Sequence, residues 1–418
     1  MTAVVVTGLG AVSGFGWGLE ALRTGLSSGR TAIGPPRRLA LTGHRTAIAS
    51  EVPEDEESAR FEPALAISRA DRYALFAARE AVTQAGLGPG SAAEGEPLGV
   101  FFGGSTAGMA EAEEYFARLI GARAGRPRLR SLMSHQLDGP GNAVARDIGA
   151  TGPVETVSSA CASGGLAIQA AFEAIRRGEV SVALAGGADV LCQLTYAGFN
   201  ALRAVDAAPS RPFRRERAGL SLGEGAGALV LETEESARAR GARILAVVVG
   251  AGASCDAHHM TAPQPEGVGA AAAVFAALEE GALDPGAVTL VNAHGTGTPL
   301  NDSSEASALR NVLSAAENGV VPPVTSSKGA IGHLLGSAGA IEAVAAVLAI
   351  CDRALQPVAG EGPADPELGL DVVVGSPRPL AAGAPAVALS TSFAFGGSNV
   401  ALLIAAPELA SGADGGEE

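Results

Sequence analysis

Two hydrophobic patterns take turns along this chain. Seven short runs are apolar almost throughout: Val4 to Val6, Leu98 to Phe102, Val180 to Ala185, Ala228 to Leu231, Ile244 to Val249, Leu290 to Asn292 and Val387 to Ser390. Continuous rather than alternating apolar runs of this length predict strands buried on both faces. Between them lie longer, alanine-rich stretches with helical periodicity: Arg72 to Ala85, Gly165 to Arg177, Ala270 to Glu280, Ser304 to Leu313 and Ala338 to Cys351. Strands that alternate with helices, and have no polar face, predict an α/β fold with helices covering its sheets.

The pattern also repeats. Val4-Val5-Val6-Thr7-Gly8-Leu9-Gly10-Ala11-Val12-Ser13 resembles Val247-Val248-Val249-Gly250-Ala251-Gly252-Ala253-Ser254, and Ser158-Ser159-Ala160-Cys161 before one helix resembles Ser326-Ser327-Lys328 before another. These echoes predict an internally duplicated fold joined near Ala239 to Arg243, with residues 1–240 as one half and 241–408 as the other. The last segment, 409–418, ends in Ser411-Gly412-Ala413-Asp414-Gly415-Gly416-Glu417-Glu418, an acidic tail with too little apolar surface to dock, and it is expected to be disordered.

Composition narrows the class. With 47% hydrophobic and 17% charged residues and a mean hydropathy of +0.26, the chain can bury a large core. Its net charge of -15 argues against nucleic acid, which needs a basic face, and an acidic protein partner would require a local basic patch. Met1 to Gly8 carries no basic stretch before its apolar run and reads as a first strand, and no long uncharged apolar run suggests a membrane span. Cys161, Cys192, Cys255 and Cys351 are scattered without a CxxC pair, which favours free thiols in a cytoplasmic setting over disulfides or zinc.

Four segments carry candidate chemistry. Lys328 is the only lysine among 29 basic residues, in Ser326-Ser327-Lys328-Gly329-Ala330-Ile331-Gly332-His333. An ammonium is a compact point charge that enters sites a planar guanidinium cannot, so the exception suggests a tight site, although a solvated surface lysine fits the bare sequence too. Thr156-Val157-Ser158-Ser159-Ala160-Cys161 runs into Ala162-Ser163-Gly164-Gly165 and a helix. A cysteine at a strand-to-helix turn meets the positive end of a helix dipole, which favours the thiolate; a small buried filler is the competing reading. His294 lies in Asn292-Ala293-His294-Gly295-Thr296-Gly297-Thr298 at a strand end, where α/β sheets hold ligands, or where a loop histidine caps a turn. Ser392-Phe393-Ala394-Phe395-Gly396-Gly397-Ser398-Asn399 offers a backbone N–H and a movable apolar gate.

The order Cys161, His294, Lys328, His333 and Phe395-Gly396-Gly397 resembles the β-ketoacyl-acyl-carrier-protein synthases, condensing enzymes of thiolase fold, and the likeness runs from Val4 to Asn399. Ser210-Arg211-Pro212-Phe213 and Gly223-Glu224-Gly225-Ala226 belong to it. The resemblance implies a duplicated five-layer α-β-α-β-α sandwich and a dimer, and substrates carried on the phosphopantetheine of an acyl carrier protein, with no cofactor and no metal. It implies that Cys161 takes an acyl group as a thioester, that His294 and His333 stabilise the enolate left when malonyl carrier loses carbon dioxide, and that the N–H groups of Cys161 and Phe395 hold the tetrahedral oxyanion. Lys328 would hold the array electrostatically with Glu305 as partner, and Thr296 and Thr298 would bind the pantetheine arm. Arg211, Arg214, Arg215 and Arg217 form a candidate patch for the acidic carrier, against the alternative of ordinary surface solvation.

Other motifs fit less well. Gly219-Leu220-Ser221-Leu222-Gly223 matches a hydrolase elbow but is followed by Glu224-Gly225-Ala226-Gly227 rather than a helix former. Gly8-Leu9-Gly10-Ala11-Val12-Ser13 puts serine where a dinucleotide fingerprint needs its third glycine, and Asp256, His258 and His259 lack a further metal-ligand motif. Ala394, the short stretch between Phe199 and Ser210, Gly219 to Glu224, and Pro299-Leu300-Asn301-Asp302 depart from fatty-acid elongation enzymes toward type II polyketide or polyene ketosynthases. A non-catalytic, chain-length-setting partner of the same fold would lack the nucleophile, and a thiolase would carry a second cysteine in Ser392 to Asn399. Cys161 is present and that segment has no cysteine.

Overall fold

The computed structural model describes residues 2–54, 67–88, 97–315, 319–381, 383 and 385–409. Beyond Leu409, the acidic tail lies outside the described residues. The first half of the chain supplies strands β1 (Val4–Ser13), β2 (Leu98–Gly103), β3 (Val154–Val157), β4 (Val182–Asp189) and β5 (Gly225–Thr233). The second supplies β6 (Ala246–Cys255), β7 (Leu290–Asn292), β8 (Val324–Thr325), β9 (Val387–Phe393) and β10 (Ser398–Ala405). Hydrogen bonding runs β3-β2-β4-β5-β1-β6-β10-β9-β7-β8, so the second half repeats the first in mirror order about the β1/β6 junction. Pairing repeats as well. β2 is parallel to β3 and β4, as β7 is to β8 and β9, while β4/β5 and β5/β1 are antiparallel, as are β9/β10 and β10/β6.

Helices repeat in step: α1 (Arg69–Gln84), α2 (Gly139–Ile148) and α3 (Ser163–Arg176), then α4 (Val268–Glu280), α5 (Pro299–Leu313) and α6 (Ala338–Asp352). Three cores separate them. One packs α1 and α2 on the first-half strands, another packs α4 and α5 on the second-half strands, and a central core places α3 and α6 between strands of both halves. That is a five-layer thiolase-type sandwich. Successive strand residues face opposite layers: Ala183 and Ala185 reach the central core while Val182 and Leu184 reach the outer one. Both faces of such a strand are therefore covered, which is why the inner strands read as unbroken apolar runs, whereas the edge strand β3 does not.

Glycine sets how closely these layers approach. A Cβ at Gly164 of α3 would lie 2.7 Å from the Ala340 nitrogen of α6, so the two central helices meet backbone to backbone near their N-termini. Gly8 and Gly10, the fingerprint-like glycines of β1, are needed for the same reason: a Cβ there would strike the Ala81 and Ala77 carbonyls of α1. Ser68 and Asp71 form a reciprocal capping box at the start of α1, and Thr298 caps α5 with Pro299 in its first turn, so this helix starts ahead of the apolar pattern that begins at Ser304. The stretch Leu335–Asp352 is long and apolar enough to cross a membrane, but 89% of it is buried inside the fold, where α6 forms half of the central layer.

Candidate active site

Cys161, His294 and His333 line one cavity of about 300 Å³, together with Thr296, Thr298 and Phe395. Each half contributes through the turns that leave its strands. The chain leaves β3 through a sharp turn in which Ala160 takes a left-handed φ of 45°, unusual for a residue with a Cβ, and Cys161 follows directly. Ser163 pins that turn, its hydroxyl accepting from the Ser159 N–H at 2.8 Å and donating to the Ala160 carbonyl at 2.6 Å.

Cys161 is 7% exposed, and the Phe395 N–H points at its sulfur. A low thiol pKa is expected from the helix dipole, but the structure reverses this. Burial pushes the Cys161 thiol up to about 11, while Lys328 and the Phe395 N–H pull it back only partway. The dipole contributes about 0.3–1 kcal/mol, whereas loss of water from an ion can move a pKa by several units, so burial wins. At neutral pH the resting nucleophile is a thiol.

His294 follows β7 and His333 lies in the longer connection between β8 and α6. Their rings meet edge to face with centroids 5.2 Å apart, and both are buried. Lys328 Nζ lies 3.1 Å from His294 Nδ1, and the Leu335 N–H donates to His333 Nδ1 at 3.1 Å. An ammonium and an N–H can only donate, so both Nδ1 atoms accept and each neutral ring keeps its proton on Nε2. Burial and the Lys328 charge hold both imidazoles well below the usual histidine range. The pair is thus a set of two neutral donors.

Lys328 is 1% exposed and ion-paired with Glu342 of α6, not with Glu305. Glu305 comes from α5 and turns toward the loop after β7, accepting from the N–H groups of His294 and Gly295, both at 2.8 Å, and from the Thr391 hydroxyl at 2.7 Å. The correction follows from layer position: α6 packs beside Lys328 in the centre, whereas α5 lies on the outer side of its half. Burial raises the carboxyls of Glu342 and Glu305 to about 7 each. Sequence reading missed Glu342, though its signal was present as the one acid inside the apolar run Ala338 to Cys351.

Thr296 and Thr298 sit side by side, hydroxyls 2.8 Å apart, and Thr298 also accepts from the Asn301 N–H as the α5 cap. Phe395 stacks on Phe199 with centroids 5.4 Å apart. Asp256 braces the same loop region from the side, accepting from Asn399 Nδ2 at 2.7 Å and from the Gln264 N–H at 3.0 Å. Ser221 is fully buried, and its hydroxyl accepts from the Ser210 N–H, a structural contact rather than an elbow.

The arginine patch does not survive as one surface. Arg214 is 4% exposed and donates to the Val358 and Gly362 carbonyls; Arg217 is tied to Asp365 and Asp302, and Arg211 to Asp206. Arg215 alone of the four is exposed. Bonding to carbonyls and carboxylates is how long cations are satisfied when buried, and three of the four arginines are engaged in this way.

Known proteins resemble this chain over nearly its whole length. Residues 1–237 match the family described as Beta-ketoacyl synthase, N-terminal domain, and residues 245–360 its C-terminal domain. A 3-oxoacyl-[acyl-carrier-protein] synthase 2 of Synechocystis sp. is 38% identical over 96% of this chain and 97% of its own length. Among solved structures, the ishigamide ketosynthase/chain length factor superposes with a TM-score of 0.88 at 34% identity, covering 97% of this chain and 99% of that one. A type II PKS acyl-carrier protein in complex with its hexaketide-bound ketosynthase (AntDE:AntF) gives 0.85 at 30% identity, with 97% and 99% covered.

Proposed function

The chain belongs to the β-ketoacyl synthase family, and from that premise we propose that it is a β-ketoacyl-ACP synthase, an acyltransferase that extends an acyl group held on Cys161 by decarboxylative condensation with malonyl carrier. The observation that carries the reading is the cavity in which the Cys161 thiol, the Phe395 N–H and two Nε2-protonated imidazoles meet.

Cys161 attacks the thioester carbonyl of an acyl-phosphopantetheine; its proton leaves with the pantetheine thiol, and the acyl group stays on sulfur. The Cys161 and Phe395 N–H groups hold the tetrahedral oxyanion. Malonyl carrier then enters, with Thr296 and Thr298 along its pantetheine arm. Loss of carbon dioxide leaves an enolate whose oxygen accepts from the Nε2–H groups of His294 and His333. The enolate carbon attacks the Cys161 thioester, and collapse breaks the C–S bond to release the β-ketoacyl product and the Cys161 thiolate, which takes a proton from water. Each oxyanion donor is worth about 3–4 kcal/mol of barrier. Lys328, fixed by Glu342, keeps the His294 proton on Nε2 and disfavours an imidazolium, which would lose the neutral donor pair.

Resident cofactors and metals have no part in this scheme, and the carrier protein is a substrate. Docking of an acidic carrier is assigned to the exposed, cavity-lining Arg203 and to Arg215, the exposed member of the four-arginine segment. The exposed edge strand β3, with Val154 42% exposed, and the exposed Phe116, Ile120, Leu129 and Met133 are proposed as the surface for a second thiolase-fold chain, either another copy or a chain-length-factor-like subunit. The setting proposed is cytoplasmic. Intact-protein mass spectrometry of the chain alone with acyl-carrier and malonyl-carrier tests the reading: β-ketoacyl-carrier product supports a self-sufficient synthase. An acyl adduct on Cys161 without product points to a required partner subunit. No adduct with any carrier overturns the assignment.

A further inference from the structure

Asp189, the last residue of β4, is fully buried and has no part in the scheme above. Its carboxylate gathers donors from two places. From the loop after β2 it accepts the N–H groups of Ser105 (3.0 Å), Thr106 (2.7 Å) and Ala107 (3.1 Å) and the hydroxyls of Ser105 (2.7 Å) and Thr106 (2.9 Å). From the turn before α6 it accepts the Gly336 N–H at 2.6 Å. Gly336 directly follows Leu335, whose N–H fixes the proton position on His333 and whose own φ of 55° is left-handed. No alanine fits at Gly336: a Cβ there would lie 2.7 Å from both Asp189 Oδ2 and the Ser105 nitrogen.

We infer that Asp189 is a positioning residue for the condensation step: one carboxylate of the first half clamps the Leu335–Gly336 turn of the second, and so holds His333 as its Nε2–H tautomer facing the cavity. A carboxylate suits this place because it offers several lone pairs and no proton, so every group around it can be an N–H or O–H donor. An amide would turn an NH2 against that ring of donors. The turn would shift, the Leu335 N–H would leave His333 Nδ1, and the ring would be free to place its proton on either nitrogen. Acyl loading depends on Cys161 and its oxyanion donors, so it would suffer less. This inference rests on the condensing-enzyme reading for its kinetic part and on geometry alone for the tautomer.

The test uses the full-length protein labelled with 15N-histidine, with His333 assigned by comparison with His333→Ala. In the parent protein the ring shifts should report a protonated Nε2 and a bare Nδ1. Asp189→Asn should mix the tautomers and lower malonyl-carrier decarboxylation at least tenfold, with Cys161 acylation by mass spectrometry changed less than threefold. Gly336→Ala should reproduce that pattern. If Asp189→Asn does not fold, Ser105→Ala, which removes one hydroxyl donor to Asp189 and the second, longer acceptor (3.2 Å) of the Gly336 N–H but leaves the backbone donors, should give the same pattern at two- to fivefold. An unchanged tautomer in a folded variant overturns the inference, as does an equal fall in loading and decarboxylation. Should the parent protein load no carrier at all, the functional reading fails while the nitrogen shifts still decide the role of Asp189.

Discussion

The two halves of this molecule share strand order, pairing sense and helix placement, yet they carry different chemistry. In the first, the connection from β3 to α3 spans residues 158–162 and delivers a nucleophile at a strained turn. In the second, the equivalent connection from β8 to α6 spans residues 326–337 and delivers Lys328 and His333. The loops after β2 and β7 differ in the same way. Each is braced by a buried carboxylate, Asp189 for residues 105–107 and Glu305 for residues 294–295, but only the second carries a histidine. Duplication thus supplies two equivalent sites for side chains at the strand ends, and divergence in connection length makes one a nucleophile and the other a donor array. The pseudo-symmetric packing of α3 against α6 then brings both to one cavity.

If this division of labour is right, changes in the two halves should fail in different steps. Cys161→Ala should have the largest effect, removing the acyl adduct altogether by mass spectrometry while leaving the thermal midpoint near that of the parent protein. His294→Ala and His333→Ala should leave loading measurable and lower condensation by about 10²–10³-fold each, the usual cost of one oxyanion donor. Product formed by the Cys161→Ala protein would break the comparison outright.

A pH series sharpens it next. Because burial raises the Cys161 thiol to about 11, the thiolate fraction should still be climbing well above neutral pH. Alkylation of Cys161 by iodoacetamide should therefore rise about tenfold per pH unit between pH 8 and 10, about 100-fold in all, where an ordinary thiol would level off near pH 9. A plateau near neutral pH would restore the helix-dipole expectation.

Smaller effects separate the two glutamates. Glu342→Gln leaves the Lys328 ammonium buried without its counter-charge and should cost roughly 3–5 kcal/mol of stability in denaturant titrations. Glu305→Gln leaves Lys328 paired and should cost less, showing instead as weaker condensation through a loosened His294 loop. The smallest contrast lies among the arginines. Arg214→Ala should lower stability by about 1–3 kcal/mol through the Val358 and Gly362 carbonyls it abandons, without altering carrier affinity. Arg215→Glu should raise KM for the carrier a few-fold and leave kcat and stability unchanged.

Much of this is legible in the sequence. The strand and helix runs fell on real elements because each of those strands is covered on both faces and each major helix buries an apolar stripe, so local composition reports layer position directly; the exposed edge strand β3 has no such run. Cys161, His294, Lys328 and His333 stood out because small residues and a lone lysine mark places where backbone and charge must come close. Gly8 and Gly10 fit a dinucleotide loop poorly in the sequence, and the structure supplies their use: the Ala81 and Ala77 carbonyls of α1 fill the space that a side chain would take.

What the chain could not reveal is pairing at a distance. Lys328 with Glu342, Asp189 with Gly336, and the burial of Arg214 each depend on which layer a residue faces and which segment lies opposite, facts with no local signature. The thiol shows why. Cys161 lies at a helix start, as the residues predict, but its ionisation is governed by the water that the assembled layers exclude, and exclusion belongs to the whole packed molecule. Sequence therefore determined the elements, their duplication and the kinds of side chain at the strand ends. Tertiary structure decided which charges meet and which protons stay, because those energies depend on distance and dielectric, not on order along the chain.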